Sequence, residues 1–161
     1  MFIIFDKNIY RCKEDKTIGG SMGFDLSGAN PKIRYDEPPE DSTHEEYTEW
    51  LDDNPGVYFR NNVWWWRALW KYVCDQCHDI LTEKDMRSGS YNDGHKIGKV
   101  KSLHIARRLD KLLKKGEVSQ YEIAYEEWRS SQEEEVPYPF NENNVRGFSK
   151  FCRESGGFYI C

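Results

Sequence analysis

Nine consecutive residues, Phe59-Arg60-Asn61-Asn62-Val63-Trp64-Trp65-Trp66-Arg67, hold three indoles, two guanidinium groups and two primary amides. Indole faces stack on planar rings, guanidinium groups pair with carboxylates or phosphates, and amides both donate and accept hydrogen bonds. These groups suit noncovalent capture of a planar anion. Trp64, Trp65 or Trp66 would supply the stacking surface, Arg60 and Arg67 would meet the charge, and Asn61 and Asn62 would fix orientation. Backbone geometry adds a constraint. On a helix, successive side chains are about 100° apart, and on a strand the middle of three points opposite to its neighbours. At least one indole of the run must therefore face a second surface, a groove or a partner.

A second cluster is Tyr91-Asn92-Asp93-Gly94-His95. Asn-Asp-Gly favours a tight turn with positive φ, and the turn would present Asn92, Asp93 and His95 from a loop. His95 oriented by Asp93 is the candidate catalytic pair, although the sequence supplies no recognisable nucleophile for it. Cys74-Asp75-Gln76-Cys77-His78 has the Cys-x2-Cys spacing of zinc sites, but a structural zinc needs four ligands. Here the pair falls within a predicted helix, and Cys12, Cys152 and Cys161 form no second knuckle, so no metal is expected. Phosphate-binding loops, serine elbows, His-Glu-x-x-His and kinase signatures do not occur, and no cofactor is expected. Gly19-Gly20-Ser21-Met22-Gly23 reads as a turn or hinge.

The elements that must position these groups belong to a chain of 161 residues, 38% hydrophobic and 15% aromatic. That length fits one domain over residues 1–161, and the aromatic share argues for a packed, aromatic-rich core. A net charge of −5 disfavours a general nucleic-acid binder. Lysines and arginines gather in residues 96–115, diluted by Asp110. Asp36-Glu37-Pro38-Pro39-Glu40-Asp41 and Glu133-Glu134-Glu135 read as solvated acidic loops. An odd number of cysteines, five, does not suggest a secreted disulfide framework. No signal peptide is recognisable and no apolar run approaches the roughly 20 residues of a membrane span. A cytoplasmic setting without a membrane partner is expected.

Along the chain, Phe2-Ile3-Ile4-Phe5 and Ile9-Tyr10-Arg11-Cys12 suggest a hairpin, followed by a short strand at residues 22–26. Residues 27–41 read as loop. Ser42-Thr43-His44-Glu45 has capping-box spacing and opens a helix carrying Tyr47, Trp50 and Leu51. The tryptophan run begins a second helix over 63–81, with a loop over 82–98. A third helix spans 98–115, closed by Gly116, and a fourth spans 118–132. Asn141 caps the last helix, with Phe140 stapled to Val145 and with Phe148, Phe151 and Cys152 on one face. Phe158-Tyr159-Ile160 is a final strand that could pair with an N-terminal one. The expectation is an α+β fold, mainly helical with four to five helices, and a small antiparallel sheet from N- and C-terminal strands.

Several of these segments together resemble a widespread family of small, uncharacterised bacterial and bacteriophage proteins. They are Met22-Gly23-Phe24-Asp25-Leu26-Ser27-Gly28, Tyr58 through Arg67, Asn92-Asp93-Gly94, Tyr138-Pro139-Phe140 through Asn144-Val145, and Phe151 through Phe158. The likeness covers residues 22–161 in the same order. It implies that residues 1–21 are an added hairpin and that Asp25, Asn61, Asn62, Arg67, Asn92 and Asp93 recur with the motifs. Relatives with Cys-x2-Cys pairs carry them in an insertion before Tyr-Pro-Phe that this chain lacks. The family lends no activity. The expected function is a non-enzymatic binding protein that sequesters a nucleotide-like small molecule or blocks a host protein complex, in a host-interaction or anti-defence role. The alternatives are a small hydrolase or transferase acting on a nucleotide-like substrate, and a structural protein forming homo-oligomers through its spare indoles.

Overall fold

Alternating burial along short strands sets the frame of the structure. The computed structural model describes residues 23–161, so the hairpin expected within residues 1–21 lies outside the described residues. These run β1 (Gly23–Gly28), α1 (His44–Asp53), β2 (Tyr58–Asn62), α2 (Val63–Gln76), α3 (Glu83–Ser88), β3 (His95–Ile97), α4 (Lys99–Lys114), α5 (Glu117–Ser130), α6 (Glu142–Glu154) and β4 (Phe158–Ile160). The sheet has the order β2-β1-β4-β3 and is antiparallel throughout. Phe24, Leu26, Ile97, Phe158 and Ile160 line its buried face, while Ser27, Tyr58, Arg60, Lys96 and Tyr159 on the alternate positions are exposed. Such one-sided alternation is what an antiparallel sheet with one wet face requires. The fold is α+β and mainly helical, as the sequence implies.

The differences lie in helix boundaries and in the loop after α2. Six helices form among the described residues, where the sequence suggests four to five. α2 stops at Gln76, with Cys77 as its C-cap, so the helix is shorter than the expected 63–81. The segment 82–98 is not all loop. Thr82 and Asp85 make a reciprocal capping box that nucleates α3, and β3 follows as an edge strand. Another capping box moves by one residue: Thr43 and Glu46 form it rather than Ser42 and Glu45. The Ser42 amide is already donated to the Pro39 carbonyl at 3.0 Å, which keeps Ser42 in the preceding turn.

α4 and α6 pack closely on the buried face of the sheet. Ser102 Oγ donates to the Cys152 carbonyl at 2.6 Å and Ser149 Oγ to the Ala106 carbonyl at 3.2 Å. These small, buried hydroxyls let the two helices approach while satisfying their own polar atoms. Asn141 caps α6 by accepting from the Asn143 and Asn144 amides at 2.7 and 3.3 Å. Phe140 and Val145 are both buried at the staple positions. Beyond α6 the chain turns through Gly156 (φ 65) and Gly157 (φ 90). A Cβ on Gly156 would fall 2.2 Å from the Asn30 carbonyl oxygen, so position and conformation both demand glycine there.

Phe148 is fully buried, with ring centroids of Phe59, Trp66 and Phe158 at 5.4, 5.7 and 5.9 Å. It joins β2, α2 and β4 at one point. Phe148→Ala should therefore lower stability by about 3–5 kcal/mol, measured by denaturant unfolding. A midpoint unchanged within error would remove Phe148 from the core.

Candidate functional site

The three adjacent tryptophans divide their roles by helical geometry. Trp66 is fully buried, Trp65 half-buried, and Trp64 47% exposed against Tyr138 at 5.7 Å. Trp66 stacks on Phe24 at 5.4 Å and on Trp70 at 5.3 Å. With no exposed surface of its own, it is a core ring. Its Nε1 donates to the Gly89 carbonyl at 2.8 Å, and Trp70 Nε1 donates to the Met86 carbonyl at 2.9 Å. These bonds tie the end of α3 against α2.

Between these two helices lies a cleft of about 220 Å³, lined by Trp66, Arg67, Trp70, Lys71, Cys74, Asp75, Met86 and Ser90. Lys71 Nζ is held by Asp75 at 2.7 Å. The Arg67 side chain makes no ion pair or hydrogen bond among the described residues. Among them, Arg67 is the lining cation left unpaired, since Lys71 is engaged by Asp75. The volume of the cleft lies below the roughly 300–1,000 Å³ of drug-sized sites, so it would hold a single ring system or a similarly small group. Trp70, Lys71, Met86 and Ser90 were not singled out from sequence. Trp70 and Lys71 stand one helical turn after Trp66 and Arg67, a spacing that could have revealed them.

The other sequence-selected residues fall into different surroundings. Asn61 is buried and exchanges two hydrogen bonds with Asn144, at 2.6 and 3.0 Å. Asn62 is the N-cap of α2, accepting from the Trp65 amide at 3.1 Å. Asp25 and Arg60 face each other on the wet side of the sheet, with Oδ1 and Nε 3.5 Å apart, and Tyr58 donates its hydroxyl to the same carboxylate. Burial and this bond push the Tyr58 phenol up to about 12. Asn92 reaches the Gly23 carbonyl at 3.5 Å, and Asp93 stands exposed beside Gly94, whose φ is 85°. The structure therefore brings Asp25, Arg60 and Asn62 to the sheet's open face or its end, and Arg67 to the cleft.

His95 has a carboxylate partner, but it is Asp85 rather than the Asp93 expected from the sequence. His95 Nε2 lies 2.9 Å from Asp85 Oδ1, and Lys101 donates to Oδ2 of the same residue. The Thr82 amide donates to that oxygen at 2.9 Å. Burial alone would raise the Asp85 carboxyl, but the bonds from Lys101, Thr82 and His95 outweigh it and hold it well below the usual carboxylate range. The cluster locks α3, β3 and α4 together. Its legible signal was the Thr82-x-x-Asp85 capping spacing. Burial pushes the Cys74 and Cys77 thiols up to about 12, away from the thiolate that binds metals. Among the described residues no group of three His, Cys, Asp or Glu could hold a metal ion. Nor is any of their helices long and apolar enough to cross a membrane. No protein-family model, curated protein or solved structure matches the chain.

A depressed folded-state pKa stabilises the protein above the unfolded value and loses that effect as pH falls. Asp85→Asn should therefore destabilise the protein by about 1–3 kcal/mol at neutral pH. The gap to the parent should shrink as pH drops below about 4, where the unfolded carboxyl binds its proton. Denaturant midpoints measured from pH 7 to 3 check this. A gap that stays constant over that range would mean the carboxylate charge contributes nothing.

Proposed function

We propose that this is a non-enzymatic binding protein that sequesters a small planar anion of nucleotide-like chemistry in the cleft between α2 and α3. The observation that carries the reading is Arg67, a guanidinium without a partner among the described residues, beside Trp66 and Trp70 in a preformed concavity. Charge-assisted bonds strengthen where water is partly excluded, so an anion seated there gains more than one bound on an open surface. Asp75 supports the arrangement by holding Lys71 at the rim. The resemblance to bacterial and bacteriophage proteins supports a host-interaction or anti-defence role, in which a captured signal molecule is withheld from the host. Support for catalysis by Asp93 and His95 is weaker. The His95 Nε2 is engaged by Asp85, and Asp93 projects from an exposed turn. An oligomer built on spare indoles has only Trp64 to offer among the three, since Trp66 is buried and Trp65 half-covered.

Mass spectrometry of small molecules released from natively purified protein tests the proposal. A stoichiometric planar anion should be recovered unchanged from the parent and lost in Arg67→Ala. The variant should keep its stability within about 0.5 kcal/mol, as surface changes without a partner do. Release of a chemically altered product would favour the enzyme. If nothing is recovered, and nucleotides added to the parent leave its tryptophan fluorescence unchanged, the cleft is not a ligand site.

A further inference from the structure

α4 carries its charges in an arrangement that neither the cleft nor the core explains. Its sequence KVKSLHIARRLDKLLK holds six Lys or Arg and one acid. That acid, Asp110, turns away to Ser149 Oγ at 2.6 Å and to Arg153 on α6. Residues 104, 107, 111 and 114 recur at three- and four-residue steps and so share one face of the helix. Opposite them, Ile105, Ala106, Leu109 and Leu112 are buried. Lys101, His104, Arg107, Arg108 and Lys111, with Asp79 and Ile80, border an open groove of about 450 Å³ along this face.

The carboxylates already present define what these cations accept. Arg108 takes Asp79 bidentately at 2.8 and 3.0 Å, Lys101 takes Asp85, and Lys115 lies 3.5 Å from Glu117. His104, Arg107, Lys111 and Lys114 are exposed and have no ion-pair partner among the described residues. An acidic chain of net charge −5 has thus gathered the unneutralised cations Arg107, Lys111 and Lys114 on one helix, spanning about 10 Å at 1.5 Å per residue. The cost of that concentration is self-repulsion, relieved when negative charge covers it.

We propose that the exposed face of α4 is a docking surface for an acidic protein segment, whose Asp and Glu side chains pair with Arg107, Lys111 and Lys114. A protein partner fits better than a nucleic acid. Stacking platforms for unpaired bases are lacking along the stripe, where Val100 is the one large exposed apolar side chain of the helix. The net negative charge of the chain also opposes the long, uniform charge of a duplex, whereas a short acidic segment meets only the stripe. The proposal is independent of the cleft, because it uses a separate set of residues.

The test is binding of fluorescent poly-L-glutamate at low and physiological salt by anisotropy, with duplex DNA measured in parallel. The parent should bind the polyglutamate at low salt, more weakly as salt rises. Arg107→Gln/Lys111→Gln/Lys114→Gln should lose at least about tenfold in affinity, from three exposed pairs, with an unchanged melting temperature. Lys32→Gln/Lys84→Gln/Lys150→Gln, of equal net charge but placed before α1, on α3 and on α6, should keep its binding. Three results would each overturn the proposal: no binding by the parent, equal losses in both triple variants, or tighter binding of duplex DNA than of polyglutamate.

Discussion

A buried indole must place its N–H on an acceptor, and two such bonds organise this molecule. Trp66 and Trp70 lie one turn apart on α2 and stack on each other, so both N–H groups point toward the same neighbour. That neighbour is the C-terminal end of α3, where the Gly89, Ser90 and Tyr91 amides take the Asp85, Arg87 and Ser88 carbonyls and leave others open. Met86 and Gly89 supply those carbonyls. Indole donors and orphan acceptors satisfy each other, and the cost of burying either alone disappears. The fit admits no side chain at position 89, because a Cβ there would lie 2.0 Å from the Trp70 ring.

Fixing α3 in this way has consequences on both of its sides. On one side it closes the wall of the cleft, since Met86 and Ser90 face Arg67 and Lys71 across it. On the other it delivers Asp85 to His95 and Lys101, joining an otherwise peripheral turn to β3 and α4. The cleft and the buried carboxylate cluster are therefore two outcomes of one docking event. Both rest on where α3 sits.

Much of this was legible before the fold was known. α6 announced itself through Asn141 and its apolar spacing, which form as read, and Phe140 and Val145 are both buried at the staple positions. The argument that adjacent indoles cannot share one face held as well, because it depends only on helix geometry. What could not be read was pairing at a distance. Thr82 and Asp85 have the spacing of a cap, but only the fold reveals that the same carboxylate also receives His95 and Lys101. β3 has three residues, too few for an alternating pattern to register. Its strand character comes from β4 beside it, where Lys96 stands opposite Tyr159.

The polar motif residues teach a sharper lesson about function. Asn61, Asn62 and Asp25 looked like ligand groups because amides and carboxylates beside arginine suit recognition. Each is instead occupied within the chain: Asn61 by Asn144, Asn62 by the first turn of α2, Asp25 by Tyr58 and Arg60. A side chain whose hydrogen-bonding capacity is already used can bind a ligand only by giving up an internal bond, which weakens the net gain. Recurrence of polar residues along a motif can therefore reflect joints of the fold as readily as a site. By the same reasoning, groups that the fold leaves unspent carry more functional weight than those it merely places together. Arg67 at the cleft and the outer cations of α4 meet that criterion, as do scattered surface cations such as Lys84 and Lys150. What sets the first group apart is position: Arg67 lines a concavity, and Arg107, Lys111 and Lys114 repeat along one helix, so an incoming anion meets a shaped or repeated array rather than a lone charge.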